Sequence, residues 1–343
     1  MIIRKIIPVV LTGLVILGAC TKKETIVQEY NPPQPKLYGN WKVISTNLNG
    51  GYFSFPNDGN NFAYILGLDE DGFKNKEVYA YSATDKQLII SGTVFNYNLK
   101  GDTLILKSSP SSNYMMVKTT DPNINASTWL SSTSIAKDLG KLPNTSSDLH
   151  SIGIDGNTIY YSGLNGMGNY VYKYNTSSKV LEDSIASVNT ASHYYKSGTL
   201  YYGFDYMSNK IFKGTPFAPV TSVSSNNLSS VRTVSANASS GVIYAFTSSG
   251  EMYTGTENST FNILFDFQDY NVASVTYYKN DEFLCVKNST VHRVKISPDF
   301  QVLATYEMPE SFNAYTVSTN GTDMYVFGYD SNANDYKLIK LNF

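Results

Sequence analysis

The sequence predicts an all-β protein, a small up-and-down barrel followed by a five-bladed β-propeller. Three observations carry this prediction. After about residue 37, short apolar and polar alternations separated by Gly, Asn and Asp run through most of the chain. Only 16% of the 343 residues are charged, and 28 tyrosines supply most of the 14% aromatic content, which is the composition of strands rather than helices. The C-terminal part also repeats itself with a period near 41 residues.

Residues 1–19 come first. Arg4 and Lys5 precede the apolar run Ile6–Leu17, and Gly18-Ala19 leads into Cys20. The run is short of the roughly 20 apolar residues that a spanning helix needs. Leu17-Gly18-Ala19-Cys20 resembles the lipobox of a bacterial lipoprotein signal. The resemblance implies cleavage between Ala19 and Cys20, diacylglycerol on the Cys20 thiol, and a protein held to the outer membrane by lipid, facing the periplasm or the cell surface. Residues 20–37 lack periodicity and contain Pro32, Pro33 and Pro35, as a tether with polyproline II character does. At ~3.1 Å per residue its reach is on the order of 50 Å.

Residues 38–120 carry seven or eight strand-like runs, among them Trp41–Ile44, Phe62–Ile65, Val78–Tyr81, Gln87–Ile90, Val94–Tyr97, Thr103–Leu106 and Tyr114–Val117. Turn signals such as Asn57-Asp58-Gly59, Asp71-Gly72 and Lys100-Gly101-Asp102 separate them, and so many short strands predict an antiparallel barrel. Gly39-Asn40-Trp41 at the first strand resembles the lipocalin-like domains of Bacteroidetes lipoproteins. The resemblance implies that Trp41 closes the barrel base.

Residues 125–343 hold the repeat. Thr158–Tyr161, Thr199–Tyr202, Val242–Ala245, Glu282–Cys285 and Asp323–Val326 align, with starts 41, 43, 40 and 41 residues apart. A turn precedes each run and a second strand follows it, which predicts four strands per blade. The fifth repeat ends at Phe343 without an outer strand, and Ser134–Leu139 has the length to supply it. That exchange would close the ring without an exposed edge. A long twisted sandwich is the alternative architecture.

The residues that could carry chemistry are few. Twenty-six basic residues face 28 acidic ones, and no basic run favours nucleic acid as a partner. Glycosidic cleavage in a propeller needs paired carboxylates near the axis. The expected inner strands (149–154, 191–196, 231–236, 273–278 and 314–319) contain no Asp or Glu, and Asp155 reads as a turn residue. His150 and His193 fall in equivalent inner strands, where they and His292 read as structural. No third ligand completes a metal set, and no cofactor motif appears. Leu68-Asp69-Glu70-Asp71-Gly72 has part of a calcium-loop spacing but reads as a hairpin turn. Cys285, in an apolar run, reads as a buried small hydrophobe. In tandem tyrosines one ring should be core and the other partly exposed, and Tyr160, Tyr194, Tyr201 and Tyr277 are the candidate ligand-binding residues. The expected function is therefore a non-catalytic lipoprotein, not an enzyme, that binds or scaffolds a protein or glycan. The alternatives are a lipocalin-type carrier, with a cavity lined by Phe53, Phe62, Tyr64, Tyr79 and Phe95, and a propeller glycoside hydrolase.

Overall fold

The computed structural model describes residues 35–45, 51–109, 112–145, 149, 152–165, 168–186, 195–197, 200–205, 208–214, 221–224 and 226–342. The signal and tether expectations at residues 1–34, including Ala19 and Cys20, lie outside the described residues, as do His150, His193 and Tyr194. The chain divides into two compact units, one formed by residues 1–48, 52–65 and 78–120 and the other by residues 49–51, 66–77 and 121–343. No helix among the described residues is long and apolar enough to cross a membrane.

In the first unit the strands β1 (Gly39–Val43), β2 (Tyr52–Phe55), β3 (Phe62–Leu68), β4 (Lys74–Ala83), β5 (Gln87–Ile90), β6 (Thr93–Lys100), β7 (Thr103–Ser109) and β8 (Ser112–Thr119) close into a barrel in sequence order. β8 returns to pair with β1, Trp41 lying opposite Lys118. Alternation sends Trp41, Val43, Phe53, Phe55, Leu88, Leu104, Leu106 and Met116 into one buried core. Trp41 is almost fully buried, and its Nε1 donates to the carbonyl of Leu37 at 2.8 Å. Gly39 is needed at the same place. Its φ of +117° is a conformation open to glycine, and a Cβ there would meet Lys118 Cε at 3.1 Å. The Gly-x-Trp triplet is thus a backbone and packing requirement of the strand closure. The set expected to line a cavity does not share one face. Phe53 is buried in the core with Tyr79 and Phe95 packed against it. Phe62 is 43% exposed, on the opposite side of β3 from the buried Ala63.

The second unit contains five four-stranded antiparallel sheets. Blade 1 consists of β10 (Ile152–Asp155), β11 (Thr158–Asn165), β12 (Gly168–Asn175) and β13 (Val180–Ala186). Blade 2 has β14 (Tyr195–Ser197), β15 (Leu200–Asp205), β16 (Lys210–Gly214) and β17 (Thr221–Ser222). Blade 3 has β18 (Val231–Asn237), β19 (Val242–Thr247), β20 (Glu251–Gly255) and β21 (Asn262–Asp266). Blade 4 has β22 (Ser274–Lys279), β23 (Glu282–Lys287), β24 (Thr290–Lys295) and β25 (Gln301–Tyr306). Blade 5 takes β26 (Phe312–Thr319), β27 (Asp323–Asp330) and β28 (Asp335–Asn342) from the C-terminus and β9 (Ser134–Gly140) from the start of the domain. β9 pairs antiparallel with β28, Asn342 lying opposite Ser134. The expected strand exchange is the observed one, and it removes the edge that β28 would otherwise expose.

Each blade is apolar on both faces, so successive blades share cores. Val234 and Ala236 of blade 3 pack with Phe204 and Ile211 of blade 2, and Leu284 and Val286 of blade 4 pack with Val317 and Val326 of blade 5. Leu139, Tyr325, Phe327 and Leu338 of blade 5 join Ile152, Ile159, Tyr161 and Tyr172 of blade 1. The seam of the ring is therefore packed like any other junction.

Candidate functional site: the inner strands and the face of blade 5

The inner strands carry the groups nearest the propeller axis. Their buried hydroxyls are turned sideways to the next blade. Thr233 Oγ1 donates to the carbonyl of Val275 at 2.5 Å, and Ser235 Oγ accepts the Tyr277 N–H at 3.0 Å. Ser274 Oγ lies 2.9 Å from Thr316 Oγ1, and Thr276 Oγ1 donates to the carbonyl of Val317 at 2.8 Å. Ser318 Oγ donates to the carbonyl of Ile152 at 3.1 Å, joining blade 5 to blade 1. These hydroxyls form a belt that ties neighbouring inner strands together and satisfies polar groups that no water reaches. The belt has a signature in the sequence, since Thr233, Ser274 and Thr316 fall at intervals of 41 and 42 residues. A hydroxyl every 41 residues has no meaning until the blades are in register.

Among the described inner-strand residues, Asp155 is the single carboxylate. It ends β10 opposite Thr158 and accepts the Tyr201 hydroxyl at 3.2 Å. Burial, and then the Asp155 carboxylate, push the Tyr201 phenol well above its usual range. Tyr160 packs edge-on against Tyr201 at 5.0 Å.

The tandem tyrosines divide as alternation requires, and in each described pair one ring is buried and its neighbour half-buried. Tyr161, Tyr201 and Tyr277 are the buried members, and Tyr160, Tyr202 and Tyr278 the half-buried ones. Of the four candidates, Tyr160 is thus half-exposed, while Tyr201 and Tyr277 are held in packing interfaces. Tyr277 is stacked on Tyr244 at 5.0 Å and 11°. The half-exposed partners of those two rings are Tyr202 and Tyr278.

His292 is fixed on β24 inside blade 4. Nδ1 lies 2.9 Å from Thr305 Oγ1, Nε2 lies 3.3 Å from the Lys287 carbonyl, and Phe73 meets the ring edge-on at 4.9 Å. Burial, aided by the nearby Lys287 ammonium, lowers its pKa to about 4, against the pull of the Lys287 carbonyl and the Asp69 carboxylate. The Asp69 loop is a hairpin turn whose tip, residues 66–77, belongs to this unit. Asp69 Oδ1 accepts the N–H groups of Asp71 and Phe73, and Oδ2 accepts the Lys287 ammonium at 2.6 Å. Its oxygens are therefore engaged by protein donors. Cys285 is fully buried, and that burial pushes its thiol up in spite of the nearby Lys287 ammonium. Among the described residues no group of three or more His, Cys, Asp or Glu is arranged to hold a metal ion.

A further aromatic cluster lies on the side of blade 5 that packs against blade 1. Tyr325, Phe327 and Tyr329 of β27 and Tyr336 and Leu338 of β28 alternate onto one side of the sheet. Tyr325, Phe327 and Leu338 are buried there, while Tyr329 and Tyr336 are half-exposed. Tyr336 stacks on Phe327 at 5.9 Å and 10°, and meets Tyr329 at 5.5 Å and Tyr315 at 6.0 Å. Tyr315 is the extra residue of a β-bulge in β26, between Ala314 and Thr316. Opposite the bulge sits Gly328, where a Cβ would lie 2.1 Å from the Asn313 carbonyl oxygen. A side chain at 328 would therefore force the strands apart.

No described protein family and no curated protein matches the sequence. Several solved structures align with parts of it. A nidogen/laminin complex aligns with TM-score 0.40 and 9% identity over 71% of this chain and 88% of that one. A DUF4623 family protein from Bacteroides eggerthii aligns with TM-score 0.38 and 12% identity over 78% of this chain and 74% of that one. BamB from Moraxella catarrhalis aligns with TM-score 0.29 and 9% identity over 88% and 94% of the two chains.

Proposed function

We propose that this chain is a lipid-anchored protein of the bacterial outer membrane that works as a non-catalytic binding or scaffold module for a protein or glycan. The anchor is an acylated Cys20 at the head of a proline-bearing tether, and the propeller is the presenting surface. The observation that supports the binding reading is the use made of the inner strands. The position at which propeller hydrolases keep reactive carboxylates is occupied in blades 3, 4 and 5 by hydroxyls spent on blade-to-blade hydrogen bonds. A rigid ring with its axis committed to structure leaves its outer faces for recognition.

The test is expression of the full chain and of Cys20→Ser with labelled palmitate, followed by membrane fractionation and protease shaving of intact cells. Wild type should carry label and sediment with the outer membrane, and Cys20→Ser should lose both properties. Label retained by Cys20→Ser would refute the anchor. Release of reducing ends from envelope polysaccharide by the purified protein would refute the non-catalytic reading.

A further inference from the structure

We infer that the tip of the β3–β4 hairpin, residues 69–73, is an acid-released clasp, seated on blade 4 at neutral pH and freed from it when His292 gains a proton. The clasp requires neither the lipid anchor nor the binding role.

One carboxylate and one aromatic ring hold the tip. Asp69 Oδ1 accepts the N–H groups of Asp71 at 3.1 Å and Phe73 at 2.8 Å, which folds the turn. Its Oδ2 accepts the Lys287 ammonium at 2.6 Å, which docks the turn on β23. Phe73 is 4% exposed, with Phe300 at 5.7 Å and Tyr270 at 6.3 Å between ring centroids. The Lys287 ammonium stands over the same ring, 4.1 Å from its centroid. Lys287 is a buried cation, so the seat depends on the Asp69 carboxylate and the Phe73 ring to compensate its charge.

His292 lies against this contact and upsets it when protonated. Its ring meets Phe73 edge-on at 4.9 Å. A carbonyl only accepts, so Nε2 carries the proton toward the Lys287 carbonyl at 3.3 Å, and Nδ1 accepts the Thr305 hydroxyl at 2.9 Å. The neutral ring thus uses both nitrogens. The groups facing it are Cys285 and Lys287 on β23, Thr305 on β25, and Asp69 and Phe73 on the tip. The anion in this set is Asp69, and Lys287 already holds it. A second proton on the ring therefore sets a new cation beside the Lys287 ammonium, in a site closed to water.

Burial, aided by Lys287, places the ring's pKa at about 4 while the tip is seated. Lifting the tip takes Phe73 off the ring and lets water reach it, which returns the ring toward its ordinary 6.5. Between those values acid favours the lifted tip, so the seat is firm above pH 6.5 and weakens as pH falls toward 4. Protonation of Asp69 acts in the same direction, because it removes the partner of Lys287. The start of β4 has other anchors. Trp129 Nε1 donates to the Asn75 carbonyl at 2.8 Å, and Lys76 pairs with Glu307. Release is thereby confined to the tip.

The test is hydrogen exchange read by mass spectrometry on the full chain at pH 7.0, 5.5 and 4.5, corrected for the intrinsic rate at each pH. The amides of Asp69, Asp71, Gly72 and Phe73 are hydrogen-bonded within the tip. A five-residue turn that leaves its seat has no packing to keep these bonds, so their exchange reads the release. Their opening equilibrium should rise about 50-fold from pH 7.0 to pH 4.5, while peptides over β19 stay protected. In His292→Asn the rise should shrink to less than about fivefold. Asp69→Asn keeps the Oδ1 acceptor of the turn and removes the charge that Lys287 needs, so its tip should open faster than wild type already at pH 7.0. That variant decides the matter if His292→Asn does not fold. Tip protection in wild type that ignores pH, or that falls only together with β19, overturns the inference. So does a rise of the same size in His292→Asn, or Asp69→Asn exchange no faster than wild type at pH 7.0.

Discussion

At the scale of single residues, burial sets the chemistry, since Cys285, His292, Tyr201 and Tyr277 are all enclosed by the propeller cores. Cys285 stands in an uninterrupted apolar run, and a run on a central strand has nowhere to go but the core. The tandem tyrosines gave the correct parity, one ring in and one out, but parity alone does not say which. Tyr201 and Tyr277 were candidates for a binding surface, and neighbouring blades cover them. That covering is a contact between residues far apart in sequence, so no local pattern records it. His292 has a measurable consequence of the same kind. Its folded pKa, about 4, lies below its ordinary 6.5, because burial disfavours the charged ring. Between those values the unfolded chain binds a proton that the folded chain refuses, so stability is complete above pH 6.5 and declines as pH falls toward 4. The shift corresponds to on the order of 3 kcal/mol across that window. Urea midpoints measured from pH 7.5 to pH 4.5 should fall for wild type and fall much less steeply for His292→Asn. Equal slopes in the two proteins would place the acid sensitivity in another group.

At the scale of elements, the repeat period exposed the blades, because each blade spends a similar number of residues on four strands and their turns. The exchange of β9 into blade 5 was legible for a related reason, since a repeat that lacks its outer strand must find one. The bulges at Arg232 and Tyr315 left no such trace. A bulge adds one residue to one strand, within the scatter of 40 to 43 between repeats. The hydroxyl belt was legible in principle but needed the register first. Its energetic role can be isolated at Thr276, which is 2% exposed and donates to the Val317 carbonyl on the next blade. Thr276→Val keeps the shape and removes the hydrogen bond, and should cost about 1–2 kcal/mol of stability. Thr322→Val, at an exposed turn, should change stability by less than about 0.5 kcal/mol. Guanidinium unfolding of the two variants checks this, and equal effects would mean that the belt is not a blade-to-blade tie.

At the scale of the whole molecule, the chain builds two sets of cores from the same strand vocabulary. The barrel core draws on residues from Leu37 to Met116. The propeller cores draw on residues from Leu139 onward, together with Phe73 from the hairpin tip. That hairpin tip is the part of the organisation that sequence order concealed. Residues 66–77 span the end of β3, the turn and the start of β4, yet Asp69 pairs with Lys287 across 218 positions. A strand rhythm reports neighbours along the chain, and a hairpin tip takes its partners from elsewhere. The two tryptophans make the separation of the cores testable, since Trp41 is buried in the first unit and Trp129 in the second. In a Trp129→Phe background the remaining fluorescence reports the barrel, and in a Trp41→Phe background it reports the second unit. Leu106 is fully buried in the barrel core, and Leu106→Ala removes packing worth about 2–5 kcal/mol. If each unit stands on its own core, that substitution lowers the denaturant midpoint reported by Trp41 and leaves the midpoint reported by Trp129 in place. Equal displacement of both midpoints would show instead that the two cores are lost in a single cooperative step.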